Sequence, residues 1–146
     1  MTQTPPHYRN DVSLPLSQAA ENNQFKLPVC GACQTVQYPP REICHHCLSD
    51  ELTWQDSDPH GTLLSQVDLH HSLEPYFMDF LPWPTGTIQL TNGAVMFAHL
   101  LKADMVTGND VVIQAVTDPS GRATLVAKPK GHAQISWTDI EKERRK

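Results

Sequence analysis

The stretch CGACQTVQYPPREICHHC, residues 30–47, holds all four cysteines of the chain as two CxxC pairs with ten residues between them. Such pairs serve disulfide frameworks, redox centres or metal clasps, and the compartment separates these uses. The opening residues, MTQTPPHYRNDVSLPLSQAA, lack a basic start, an apolar run and a small-residue cleavage site, which predicts a cytoplasmic protein. No stretch reaches the ~18 consecutive apolar residues of a membrane span; Asp79, Pro82, Pro84 and Thr85 interrupt the longest apolar region. In a reducing compartment the thiols stay reduced, so coordination of one ion is expected. A CxxC unit places both sulfurs on one side of a tight turn, and two such turns face to face give the tetrahedral thiolate shell of a structural zinc site. Cys30, Cys33, Cys44 and Cys47 are the expected ligands. Pro39 and Pro40 stiffen the connection and Gly31 loosens the first turn.

Four thiolates hold iron as readily as zinc, and the spacing is similar to that of rubredoxin. The residues after each pair are Gln34 and Leu48, where a rubredoxin knuckle has glycine, which favours zinc. His45 and His46 find no vacancy in an all-cysteine shell and are expected at the surface. A closed shell leaves no position for water, so the ion is expected to be structural. Bound zinc supplies about 10–16 kcal/mol in small zinc domains, enough to fold a segment too short to build its own core.

Four segments are expected around that clasp: a flexible N-terminus over residues 1–12, a helix and ribbon over 13–56, a barrel over 57–131 and a polar tail over 132–146. The helix reads from Ser13, its expected N-cap, to Phe25, with Leu16, Ala20 and Phe25 on related faces. Leu52 and Trp54 alternate with polar neighbours, as in a strand closing the ribbon. Turn-formers from Asp56 to Gly61 mark the boundary. Five strands are predicted beyond it: Thr62 to His71, Thr87 to Thr91, Val95 to Leu101, Val111 to Val116 and Arg122 to Ala127. Asn92-Gly93 suits a type I′ hairpin, and Asp118 to Gly121 forms another turn. With no helix long enough for parallel crossovers, the expected fold is mainly β, a small antiparallel barrel. An OB-fold leads, with an SH3-like barrel behind it.

A short N-terminal helix, the ribbon with QYPPREIC before its second pair, and a barrel opening on GTLLSQVDLHH and carrying an LTNG hairpin resemble the zinc-ribbon OB-fold proteins of the domain-of-unknown-function 35 family. The resemblance covers about residues 13–131. It implies a companion of thiolase-like enzymes acting on acyl-CoA or polyketide-type substrates, either holding the complex together or contacting the CoA chain. Within the family, length and sequence are most similar to the small subunits of bacterial acyltransferases that make diacetylphloroglucinol from monoacetylphloroglucinol. That implies a thiolase-like catalytic subunit and a ketoacyl-synthase-like subunit as partners.

No catalytic equipment of the chain's own is expected. The cysteines are committed to metal, and there is no GxSxG elbow or phosphate loop. His70 and His71 are adjacent on an expected strand and would face opposite ways. His99 alternates with Phe97 and Leu101, on a barrel-facing or half-buried position. The segment EPYFMDFLPWP, residues 74–84, concentrates Tyr76, Phe77, Phe80, Leu81 and Trp83 between prolines with few charges. Such enrichment marks interface cores, and these five are the expected partner-binding residues, the alternative being a plug for one end of the barrel. Nucleic-acid binding, common among ribbons and OB-folds, needs a basic groove. Here 11 basic residues face 16 acidic ones, with a net charge of −5. The only basic cluster is the terminal EKERRK, expected as a solvated helix from Asp139 capped by Thr138.

Overall fold

The computed structural model describes residues 4–6 and 10–144; the remainder of the expected flexible N-terminus and the last two residues of the expected tail lie outside the described residues. Helix α1, Leu14–Glu21, is shorter than the expected 13–25. Ser13 makes no side-chain cap; the Asn10 side chain instead accepts the Ser13 N–H at 3.0 Å. Pro15 sits in the first turn, where its missing N–H costs nothing. The helix stops where Asn23 turns left-handed at φ 57° and the Gln24 N–H returns to the Ala19 carbonyl. The chain then enters a strand absent from the sequence reading, β1, Lys26–Cys30, which pairs antiparallel with β2, Leu52–Asp56. Pro28, unusual inside a strand, and the shortness of the KLPVC run hide it in the sequence.

Five further strands follow: β3, His60–Leu69; β4, Trp83–Leu90; β5, Val95–Leu100; β6, Asp110–Thr117; and β7, Ala123–Pro129. They close into a barrel of order β3-β4-β5-β7-β6, antiparallel throughout except for the parallel pair β5–β7. This Greek-key closure is that of an OB-fold and excludes a meandering SH3-like barrel. The core is filled by Leu63, Ile88, Met96, Leu100, Val111 and Val126, all essentially inaccessible. Two glycines permit the closure. A Cβ on Gly61 would lie 2.7 Å from the Gln89 carbonyl oxygen, and one on Gly86 would meet Leu63 and Leu100 below 3 Å. Side chains there would push strands apart.

The β4–β5 turn differs from the expected type I′. Gly93 alone is left-handed, at φ 93°; its N–H bonds the Leu90 carbonyl, and the Leu90 N–H bonds the Ala94 carbonyl. This is a three-residue loop, a type I turn closed by a glycine bulge, and the β6–β7 turn repeats it with Gly121. On β5, Met96, Ala98 and Leu100 are buried and His99 is half-buried, while Leu101, just past the strand, is buried as well; Phe97, 68% exposed, is the one member of the expected set that turns outward. Strand β3 ends at Leu69, so His70 and His71 stand on exposed coil and the alternation argument does not reach them.

Residues 132–144 are not a free polar tail. Helix α3, Trp137–Arg144, begins two residues before Asp139, and its cap is Ser136 rather than Thr138. The Ser136 N–H donates to Asp139 Oδ2 at 2.8 Å while the Asp139 N–H returns to Ser136 Oγ at 3.3 Å, a reciprocal box. Ile135, Trp137 and Ile140 are buried against the barrel.

Between ribbon and barrel the chain has only Ser57, Asp58 and Pro59, and the β4–β5 turn holds them. Asp58 accepts from the His60 N–H and ring at 2.9 and 2.7 Å and from Thr91 Oγ1 at 2.9 Å, and Asn92 donates to Ser57 at 2.9 Å. The His60 N–H first, then the His60 and Thr91 side chains, pull the Asp58 carboxyl from 3.8 down to about 2. A depressed carboxyl contributes stability that is present above its unfolded value and lost as pH falls through the folded one. The junction is therefore expected to loosen between about pH 4 and pH 2, seen as collapse of the Thr91 and Asn92 amide shifts. Asp58→Asn should remove that acid step.

Candidate metal centre

Each sulfur is delivered by a turn whose backbone is fixed by hydrogen bonds. The Gln34 N–H donates to the Cys30 carbonyl at 2.8 Å and the Leu48 N–H to the Cys44 carbonyl at 3.0 Å. Gln34 and Leu48 hold φ of 67° and 65°, the left-handed conformation that glycine adopts freely. The knuckle geometry is thus kept without glycine, at a cost of roughly 1–2 kcal/mol per residue. Contrary to the expectation from sequence, absence of glycine does not separate zinc from iron here, because Gln34 and Leu48 adopt the same backbone conformation.

The two turns bring Cys30, Cys33, Cys44 and Cys47 together, with all four sulfurs within 4.8 Å of one another. Cys30 and Cys47 sulfurs lie 3.5 Å apart, Cys33 and Cys44 3.6 Å. A disulfide needs about 2.05 Å, whereas sulfurs about 2.3 Å from a common tetrahedral centre stand about 3.8 Å apart. The donor set therefore fits one tetrahedral ion, and the thiols are not paired as disulfides.

Electrostatics agree with a cluster made for a cation. Hydrogen bonding from the Thr35 side chain and then its N–H draws the Cys33 thiol down to about 5, and the Cys33 N–H lowers Cys30. The Ser49 N–H pulls on Cys47 too, but hydrogen bonding with Cys30, burial and the other thiols outweigh it and push Cys47 up to about 12. Four adjacent sulfurs cannot all ionise without a cation among them. Metal binding therefore releases protons and tightens as pH rises.

A residue the sequence reading missed braces the two turns. Gln37 is 1% exposed; its Nε2 donates to the Ile43 carbonyl at 3.2 Å, and its Oε1 accepts the His45 N–H at 3.0 Å and faces the His45 ring nitrogen at 3.1 Å. His45 and His46 remain exposed, and the His46 N–H donates to Cys44 Sγ at 3.4 Å. Gln37→Leu fills the same space but strands a carbonyl and an N–H beside the ligands. Support of this kind is worth about 10–100-fold in metal affinity, the loss expected in a chelator-competition titration.

The aromatic segment lies elsewhere, under α3. Pro75–Met78 forms a short helix, α2, and Trp83 opens β4. Tyr76, Phe80 and Trp83 are buried, Phe77 and Leu81 are partly buried, and Met78 is exposed. Trp137 Nε1 donates to the Tyr76 hydroxyl at 2.5 Å, which donates to Glu141 at 2.8 Å; burial first raises the Tyr76 pKa. Trp83 Nε1 donates to half-buried His99 Nδ1 at 3.0 Å. Arg144, expected in solvent, stacks 4.2 Å over the Trp83 ring and donates to the Leu100 and Leu101 carbonyls. Burial lowers its pKa to about 10. Three of the five expected partner-binding side chains thus build the cap beneath α3 and face no solvent.

Residues 17–53 match the family model of the ChsH2, rubredoxin-like zinc ribbon domain. The chain carries a ChsH2-type zinc ribbon. Its ion is accordingly a single structural zinc, which the four clustered sulfurs fit. The wider fold is that of the DUF35 proteins. A chain of an Ltp2-ChsH2(DUF35) aldolase matches with a TM-score of 0.73 and 23% identity over 85% of this chain and 98% of that one. A DUF35-family protein of unknown function from Sulfolobus solfataricus matches at 0.56 and 16% identity over 84% and 88%. In sequence, a probable enoyl-CoA hydratase alpha subunit from Thermomonospora curvata is 27% identical over 84 residues, 58% of this chain. The chain spans about a quarter of that relative's length, 26%. No helix among the described residues is long and apolar enough to cross a membrane.

Proposed function

We propose that this chain is a non-catalytic accessory subunit that positions a thiolase-like catalytic partner in a complex processing acyl-CoA substrates. The observation that carries the reading is the gathering of every cysteine into one cluster, which leaves no thiol nucleophile for acyl transfer. The fold shared with a chain of the Ltp2-ChsH2(DUF35) aldolase supports it, because that assembly pairs such a chain with a second protein. In the finer form, the complex moves acetyl groups onto an aromatic carbon of phloroglucinol derivatives, with a ketoacyl-synthase-like subunit alongside. Phe77 and Leu81, with exposed Met78, are the part of the aromatic segment that meets the partner; Tyr76, Phe80 and Trp83 support them from beneath.

Coexpression with thiolase-like proteins followed by size-exclusion chromatography tests the reading. A stable mixed complex is expected, active only when assembled. The isolated chain should turn over no acyl-CoA substrate, and turnover by it alone would end the proposal. Chelation is expected to disperse the complex; a stripped complex that stayed whole and active would remove the ribbon from the interface. The hydratase relative favours a second reading, in which this chain also touches the CoA moiety. With a net charge of −5, no retardation of single-stranded DNA is expected at low salt.

A further inference from the structure

Where the base of the ribbon meets β6, an open cleft of about 560 Å³ is lined by Asn23, Gln24, Asp56, Gln114, Lys128 and Gln134, among others. Its volume falls in the range of small-molecule sites, about 300–1,000 Å³. Lys128 is the unusual member. Only 8% of it is exposed, yet among the described residues it forms no ion pair. Its Nζ donates to Gln114 Oε1 at 2.7 Å and, at a longer 3.4 Å, to the Ala133 carbonyl, both neutral. An ammonium carries three donors, so capacity for another acceptor remains. A desolvated cation served only by dipoles gains strongly from a counter-ion.

We propose that this cleft binds a small monocarboxylate, its carboxylate on the Lys128 ammonium and its polar body along the amide-bearing wall. Charge sets the class. Lys128 is the one cation and Asp56 the one acid of the lining, so an anion meets a single positive group, and every negative charge beyond its first faces Asp56 with nothing to oppose it. A phosphate dianion would meet Asp56 unopposed. Gln114 is committed to Lys128 and to both backbone groups of Ile135, whereas the Asn23, Gln24 and Gln134 amides carry paired donors and acceptors, which suit an amide or hydroxyl beside the carboxylate. Burial lowers the Lys128 pKa, and a bound carboxylate would reverse that. The proposal is independent of any protein partner.

The test is a titration of the zinc-loaded full chain with N-acetylglycine and, separately, inorganic phosphate at constant ionic strength, followed by the Gln114 and Gln134 side-chain amide resonances. Saturable shifts with N-acetylglycine and weaker binding of phosphate are expected. Lys128→Gln should weaken binding about tenfold or more. Because Lys128 also holds the Ala133 carbonyl directly, and Gln114, which in turn binds Ile135, a second variant is needed. Asp56→Asn, exposed and away from that tie, should strengthen N-acetylglycine binding several-fold by removing the like charge. Non-saturable shifts, tighter binding of phosphate, or an Asp56→Asn affinity no better than that of the unaltered chain would each overturn the proposal.

Discussion

Replacing Cys44 with serine is expected to unfold the ribbon while leaving the barrel standing. Cys44 is fully buried, 3.6 Å from Cys33 Sγ, and receives the His46 N–H. A serine hydroxyl does not ionise near neutrality, so the shell falls to three thiolates around a site with no spare donor. Structural zinc contributes about 10–16 kcal/mol in domains of this kind, more than a two-stranded sheet can replace by packing. Hydrogen exchange should show residues 26–56 losing protection, and zinc content should drop from one equivalent. Ile88 and Val126, fully buried on barrel strands, should stay protected. A ribbon that kept its protection without zinc would show that side-chain packing suffices.

The second large effect is expected at Trp83. Replacing it with alanine empties a site that is 2% exposed, removes the hydrogen bond to His99, and takes away the surface on which Arg144 stacks. Large-to-small changes at buried aromatics cost about 3–5 kcal/mol, a large part of the stability of a domain of this size. Urea melts should show the loss directly, with α3 released first because its Trp137 and Arg144 both rest on that ring. Phe97→Ser, on an exposed position of β5, should fall within about 0.5 kcal/mol of the unaltered chain. Loss of a partner after Trp83→Ala would therefore report a damaged fold, and Phe77 and Leu81 are the better probes of an interface.

The clasp was legible because its signal is local: two CxxC units at short spacing bring sulfurs together whatever the rest of the chain does. The barrel strands were legible from runs of β-branched residues broken by Asn92-Gly93 and Asp118–Gly121. What escaped depends on residues far apart in sequence. Gln37 reads as one more polar loop residue until Ile43 and His45 are folded around it. Arg144 lies in EKERRK, a run that looks solvated, and only the tertiary fold puts it on Trp83, 61 residues away in the chain. The outward turn of Phe97 was not legible, because an aromatic in a strand reads as core, yet the barrel seats Met96 beside it instead. Lys128 gives no warning in sequence that it will be desolvated.

The three-residue junction has a consequence for how this molecule could be used by others. Ser57, Asp58 and Pro59 leave almost no slack, and their ties to Thr91 and Asn92 remove what there is. A binding protein gripping the zinc end and the barrel end together would meet a fixed span, as between the jaws of a caliper. It would choose by distance and angle before any single side chain was consulted.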